Sequence, residues 1–189
     1  MKKEEIIRQN IKQLLTPERF RHSLRVADTA EKLAWMTGVE PAMVRIAALL
    51  HDRAKALAKV ELFRLAENSQ WEIDEIEFSL PRILHAPVSA DLAREEFNIS
   101  DREVLEAIRF HTIGVPGMGE MAKLIYAADV IEPGRDFPGA GQLREKMSGP
   151  LNSLVVAISN HSIKYNIDQG RLIHPNTLLL RNSLLGGEE

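Results

Sequence analysis

The sequence contains no cysteine. Disulfides, thiolate metal sites and cysteine nucleophiles are therefore excluded, and their absence suits a reducing compartment. Aromatic residues make up only 5% of the chain, without the basic-aromatic interleaving of a single-stranded nucleic-acid platform. No apolar run reaches the ~18 residues of a membrane span. The opening MKKEEIIRQNIKQLL places Glu4 and Glu5 where a signal peptide needs an apolar segment. Net charge is -3 and the pI is near 6.1, too little field for general attraction to nucleic acid or an anionic membrane, although a local basic pocket fits within that total. These absences lead to the expectation of a cytoplasmic protein with neither nucleic-acid nor membrane partners. No alternating strand pattern of useful length occurs either.

What remains is helical period. With 189 residues, 44% hydrophobic and 27% charged, the chain can bury one sizeable core, and a single all-α domain over 1–189 is expected. Thr16-Pro17-Glu18 reads as a helix start, with Thr as cap, Pro at the first position and Glu at the positive end of the dipole; Gly38 is its stop. Pro41 opens AMVRIAALLHD. A polar loop with a short helix is expected over 68–76. Pro81 is expected to open PRILHAPVSADLAREEF, with Pro87 breaking or bending it. Ser100-Asp101-Arg102-Glu103 reads as a capping box before EVLEAIRFH. MAKLIYAADVI follows and stops at Pro133-Gly134, a long helix runs from Gly149-Pro150 towards Gly170, and a last one follows Pro175.

Six histidines are present. His111 falls seven residues after Val104 and three after Ile108, on the apolar stripe of its helix. His22 shares a face with Val26, Ala30 and Leu33. His51 closes the apolar run ending at Leu50, with Asp52 beside it. Asp129 follows Met121 and Ile125 on one face. Imidazoles and carboxylates aimed inward from several helices are costly unless paired or bound to metal, and a metal offsets the desolvation of all of them at once. Without sulfur, the donors suit iron, manganese, zinc or similar ions. His22, His51, Asp52, His85, His111 and Asp129 exceed the needs of one tetrahedral ion and suffice for two about 3.5–4 Å apart, with Asp52 as a bridge. His161 lies in a polar stretch and reads as a surface residue, whereas His174 precedes Pro175.

His22, His51-Asp52 with Lys55, and Asp129 resemble the H…HD…D signature of the HD-domain metal-dependent phosphohydrolases. RHSLRVADTAEKLA, AALLHDRAK, LPRILHAPVSADLAREEFNISDREVLEAIRFHTIG, MAKLIYAADVIEPGR and GRLIHPNTLLLRN resemble the YqeK family within it, over about residues 18–182. Arg53, where that family often has an aromatic residue, and Ala128, where leucine is common, depart from the pattern. The resemblance implies a helical HD domain and symmetrical hydrolysis of diadenosine tetraphosphate (Ap4A) to two ADP by a metal-activated hydroxide. It implies iron held by His22, His51, Asp52 and Asp129, as one ion or two, with manganese, cobalt or another divalent metal as substitutes. It gives His85 and His111 to a second metal or to substrate phosphate. It also implies nucleotide contacts from Arg25, Lys55, Thr112, Arg135, Pro175, Asn176 and Thr177, beside the ligands His22, Asp52, His85, His111 and Asp129.

The catalytic set read from the residues is His51, Asp52, His85 and His111. Either His85 or His111 acts as a ligand or as the acid to the leaving oxygen. Arg25, three residues after His22, and Lys55, three after Asp52, are placed to neutralise phosphate; Asp28 and Asp136 offer Arg25 and Arg135 other partners. Two further readings are compatible with the sequence: an HD nucleotidase or phosphodiesterase for another nucleotide, and a non-catalytic metal- or nucleotide-binding module. A homodimer is compatible with a compact helical enzyme.

Overall fold

The computed structural model describes residues 3–186; the two ends of the expected 1–189 domain lie outside the described residues. Among the described residues every regular element is helical. Helix α1 (Lys3–Leu14) leads into α2 (Pro17–Thr37), capped by the Thr16 side chain, which accepts from the Arg19 N–H at 3.3 Å. Gly38, with φ 76°, closes α2 in the left-handed region that glycine tolerates best. Helix α3 (Pro41–Leu50) is followed by a 3₁₀ turn over Arg53–Ala56, then α4 (Lys59–Glu67) and the short α5 (Glu75–Ser79). Helices α6 (His85–Phe97), α7 (Arg102–Phe110), α8 (Glu120–Ile131) and α9 (Ala140–Glu145) precede a second 3₁₀ turn at Lys146–Ser148. Helices α10 (Leu151–Asp168) and α11 (Pro175–Leu185) complete the fold.

The main core lies where α2, α3, α7 and α8 pack together, with α1 and α10 against its sides. Val26, Ala30, Val44, Leu49, Ile108 and Ile125 are fully buried there. Alanines at 27, 34, 47, 48, 107, 127 and 128 lie on the same faces, and their small side chains let the helix axes approach closely. A second apolar cluster of Ala54, Ala66, Leu84, Val88 and Leu92 holds α4 and the 3₁₀ turn on α6.

Three expectations are corrected. Pro81–Leu84 forms a turn and α6 begins at His85, so Pro87 is its third residue. There the missing N–H has no helical acceptor to lose, and the helix is neither broken nor bent at its start. The cap of α7 is Asp101, whose carboxylate accepts from the Val104 N–H at 3.1 Å, rather than Ser100. The reciprocal capping box occurs at α5 instead, between Asp74 and Glu77. Helix α3 stops at Leu50: His51 still has helical angles, while Asp52 turns away at φ -103°, ψ 16°.

Candidate metal centre and active site

That break after Leu50 turns two adjacent side chains to one point, where four other elements also deliver a donor. His22 comes from the buried face of α2 and Asp129 from α8. His85 is the first residue of α6, and His111 directly follows the last residue of α7. His22 Nε2 lies 3.0 Å from Asp129 Oδ1 and 3.9 Å from Asp52 Oδ2. Asp52 Oδ1 lies 3.0 Å from His85 Nε2, 3.7 Å from His51 Nε2 and 3.8 Å from His111 Nε2. His51 Nε2 is also 3.8 Å from Asp129 Oδ1. Asp52 thus touches all four imidazoles, the position expected of a bridging ligand. Two triads, His22–His51–Asp129 and His51–Asp52–His111, each bring three donor atoms close enough to share one ion.

The other ring nitrogens show what the centre holds. Nδ1 of His51 donates to Ala48 O at 2.6 Å, that of His85 to Arg82 O at 2.8 Å, and that of His111 to Ile108 O at 2.7 Å. His22 Nδ1 faces Glu132 Oε1 at 3.0 Å. Each Nδ1 proton is spent on the protein, so a ring that gives up its second proton presents a bare Nε2 inward. His22 Nε2 and His51 Nε2 are buried without a hydrogen-bond partner, and the Nε2 atoms of His85 and His111 face each other at 3.0 Å. Converging lone pairs and carboxylates repel unless a cation sits among them. The arrangement fits a divalent metal centre, with ring orientation set by backbone and carboxylate acceptors.

The electrostatics agree. Burial alone would push the Asp52 carboxyl up, but the imidazoles of His51, His85 and His111 hold it well below the usual carboxylate range. Asp129 is half-buried, and is held far down by His22 Nε2 at 3.0 Å and by Arg135. Burial pushes His85 down, against the pull of Asp52, and pushes His111 to about 3 with the neighbouring imidazoles adding to it. His22 is raised: burial would lower it, but Asp129 and Glu132 prevail.

Residues 19–134, which carry this whole donor set, match the HD-domain family model. The chain belongs to the HD-domain family. It is 38% identical over 177 residues to the symmetrical bis(5'-nucleosyl)-tetraphosphatase of Halalkalibacterium halodurans, a match covering 94% of each protein. It is 34% identical over 177 residues to the protein of the same description from Bacillus subtilis, covering 94% of this chain and 95% of that one. These full-length matches place it in the YqeK group of HD proteins. The crystal structure of a predicted HD superfamily hydrolase involved in NAD metabolism from Clostridium acetobutylicum matches with a TM-score of 0.92 at 36% identity, over 97% of each chain.

Above the donor cluster this HD domain opens a cavity of about 670 Å³. Of the residues for which the resemblance implies nucleotide contacts, Arg25, Lys55, Thr112, Arg135 and Thr177 line it, whereas Pro175 and Asn176 do not. Pro175 starts α11, and Thr177 below it donates to Ile113 O at 2.9 Å. Arg25 and Arg135 have partners other than Asp28 and Asp136. Arg25 grips Glu132 through Nε–Oε2 at 2.5 Å and Nη2–Oε1 at 3.1 Å. Arg135 Nη2 lies 2.5 Å from Asp129 Oδ1. Asp28 is taken by Arg45. Lys55 is carried to the cavity by the 3₁₀ turn, its N–H bonded to Asp52 O at 2.9 Å. Among the described residues its ammonium group meets only Arg82 O, at 3.4 Å, and burial lowers its pKa.

Sequence reasoning missed Glu132, Arg19 and Arg82. Arg19 donates to Asp52 Oδ2 at 3.2 Å, and Arg82 bridges to Asn166 Oδ1 at 2.9 Å across the mouth. His174 lines the cavity but is committed to Asp74 at 2.9 Å and to the Asn176 N–H. His161 lies outside the cavity lining, its ring 4.7 Å from Phe137. Arg53, one of the departures from the family pattern, is buried in a bidentate pair with Glu96 at 2.8 and 2.9 Å, away from the ligands.

Proposed function

We propose that the chain, acting as a single domain in the cytoplasm, hydrolyses diadenosine tetraphosphate symmetrically to two ADP, with iron as the resident metal and manganese or cobalt as substitutes. The observation that carries this reading is the joining of four inward-facing imidazole Nε2 atoms and two carboxylates to one cavity lined by cations. The relatives' description as symmetrical tetraphosphatases supports the substrate.

His22, His51, Asp52 and Asp129 would hold the metal, and His85 and His111 would complete the set. Divalent metal, when bound there, would supply neutralisation of phosphate charge and a lowered pKa for water. His85 and His111 are neutral at pH 7 and offer lone pairs rather than protons at Nε2, which favours ligand over acid for both. Lys55 and Arg19 lie on the Asp52 side, and Arg25 and Arg135 on the Asp129 side. A tetraphosphate laid between them meets cations at both ends, which stabilise the charge of the departing ADP. Water adds across the central P–O–P bridge. One ADP keeps the bridging oxygen, the other gains the oxygen of water, and two protons are released as both new phosphate ends ionise. Lys55, with no carboxylate in ion-pair contact among the described residues, is the cation free to receive phosphate oxygen.

Incubation of the Fe(II)- or Mn(II)-loaded protein with diadenosine tetraphosphate tests the reading. Two ADP are expected; ATP plus AMP, or cleavage of other nucleotides only, rejects it.

A further inference from the structure

Glu132 accepts more hydrogen bonds than any other carboxylate among the described residues. It is 1% exposed, at the residue that ends α8. Its Oε1 accepts from His22 Nδ1 at 3.0 Å and from Arg25 Nη2 at 3.1 Å. Its Oε2 accepts from Arg25 Nε and from the Gly134 N–H, both at 2.5 Å. Four donors fill the four acceptor positions of a carboxylate.

The surroundings are built to keep it there. A side chain at Gly134 would collide with the Arg25 guanidinium, so glycine is what lets Arg25 lie flat on the turn. Arg144 of α9 donates to Ile131 O at 2.9 Å, to Glu132 O at 3.1 Å and to Arg135 O, pinning the backbone on both sides of Pro133.

We infer that Glu132 is a positioning residue that couples metal binding to substrate binding: one carboxylate holds His22 with Nε2 free for metal and holds Arg25 in place for phosphate. An ionised carboxylate can only accept, so the His22 proton must stay on Nδ1. The same atom, Oε1, fixes the edge of Arg25 that faces Glu132 and leaves its remaining N–H groups to the cavity. The substrate half of this inference rests on the proposed function; the metal half does not.

The two halves separate by substitution. Glu132→Gln keeps one carbonyl oxygen for His22 Nδ1 but opposes an amide N–H₂ to the donors at Oε2. It is expected to bind Mn(II) within a few-fold of wild type and to weaken ADP binding to the metal-loaded protein by about tenfold. Glu132→Ala strips both partners and is expected to lose about 10- to 100-fold in Mn(II) affinity as well. Gly134→Ala displaces Arg25 alone, and is expected to weaken ADP without changing Mn(II) affinity.

Calorimetric titration with Mn(II) and then ADP reads all three, with circular dichroism to confirm folding. Wild-type Mn(II) affinity in Glu132→Ala overturns the inference. So does a Gly134→Ala protein that loses Mn(II) as badly as Glu132→Ala, which would mean that the turn merely holds the fold together. If Glu132→Ala does not fold, unchanged ADP affinity in both Glu132→Gln and Gly134→Ala overturns it. A wild-type protein that binds Mn(II) but not ADP rejects the proposed substrate, while the Mn(II) titrations still judge the metal half.

Discussion

His85 and His111 face each other through their Nε2 atoms at 3.0 Å, each with Nδ1 bonded to the carbonyl three residues earlier. Two neutral rings so arranged repel, and the protein holds them together through buried helix ends. The cost is recovered only when a cation enters between the donors.

Metal removal and pH follow from this. Both rings are depressed in the fold, His111 to about 3, whereas an unfolded histidine titrates near 6.5. Their contribution to stability is therefore full above about pH 6.5. It is lost as pH falls, because the unfolded chain takes up protons that the folded one refuses. His22 is shifted the other way, so its contribution is already complete below about 6.5 and does not offset the loss. Thermal unfolding in EDTA is expected to show the midpoint falling from pH 7 to pH 5, and added Mn(II) at pH 7 is expected to raise it. A flat EDTA profile would contradict neutral imidazoles.

Asp52 is the carboxylate common to all four rings. Asp52→Asn preserves its shape but removes the charge, and His51→Ala removes a fully buried donor. Each is expected to lose bound metal and more than about 100-fold in kcat, since changes even to groups that merely orient ligands cost about 10- to 100-fold. Metal analysis alongside product formation checks it. Full hydrolytic activity in either variant would sink the ligand assignment.

Lys55 is half-buried, with one long contact to the Arg82 carbonyl. Lys55→Met keeps the aliphatic stem and deletes the charge. A lost charged hydrogen bond of about 1.5–3 kcal/mol corresponds to roughly 10- to 100-fold in kcat/KM for the tetraphosphate. Metal content should not change. Steady-state kinetics with metal analysis distinguishes this from a damaged centre.

Arg109 and Glu77 form a bidentate pair at 2.7 and 2.8 Å, 3% and 2% exposed, which ties α7 to α5. Glu77→Ala strands a buried guanidinium and is expected to cost about 3–5 kcal/mol, or on the order of 10 °C in Tm for a chain of this size. Thermal denaturation measures it, and unchanged stability would show that water reaches Arg109.

The candidate donors His22, His51, Asp52, His111 and Asp129 were legible because each breaks a hydrophobic pattern, whereas His85 was read from the family resemblance. A polar side chain on an apolar helical stripe, or at the end of an apolar run, stands out locally, and its cost asks for a partner. Glu132 gave no such signal. It sits between a helix end and Pro133 like any solvated turn residue, and its partners lie 107 and 110 positions upstream. Arg19 and Arg82 likewise read as surface cations. Helices α4 and α9 escaped notice because little of either is buried: Ala66 in one, Ala140 and Leu143 in the other. The start of α6 was misplaced because proline marks turns as readily as helix starts.

The sequence by itself determined the helical class and pointed to six candidate metal donors, because composition, periodicity and side-chain type are local properties. Only the tertiary structure decided which ring nitrogen faces inward, which carboxylate each arginine chooses, and that one glutamate holds both His22 and Arg25. Those depend on distances between helices far apart in sequence, and hydrogen-bond strength falls off within a few tenths of an ångström.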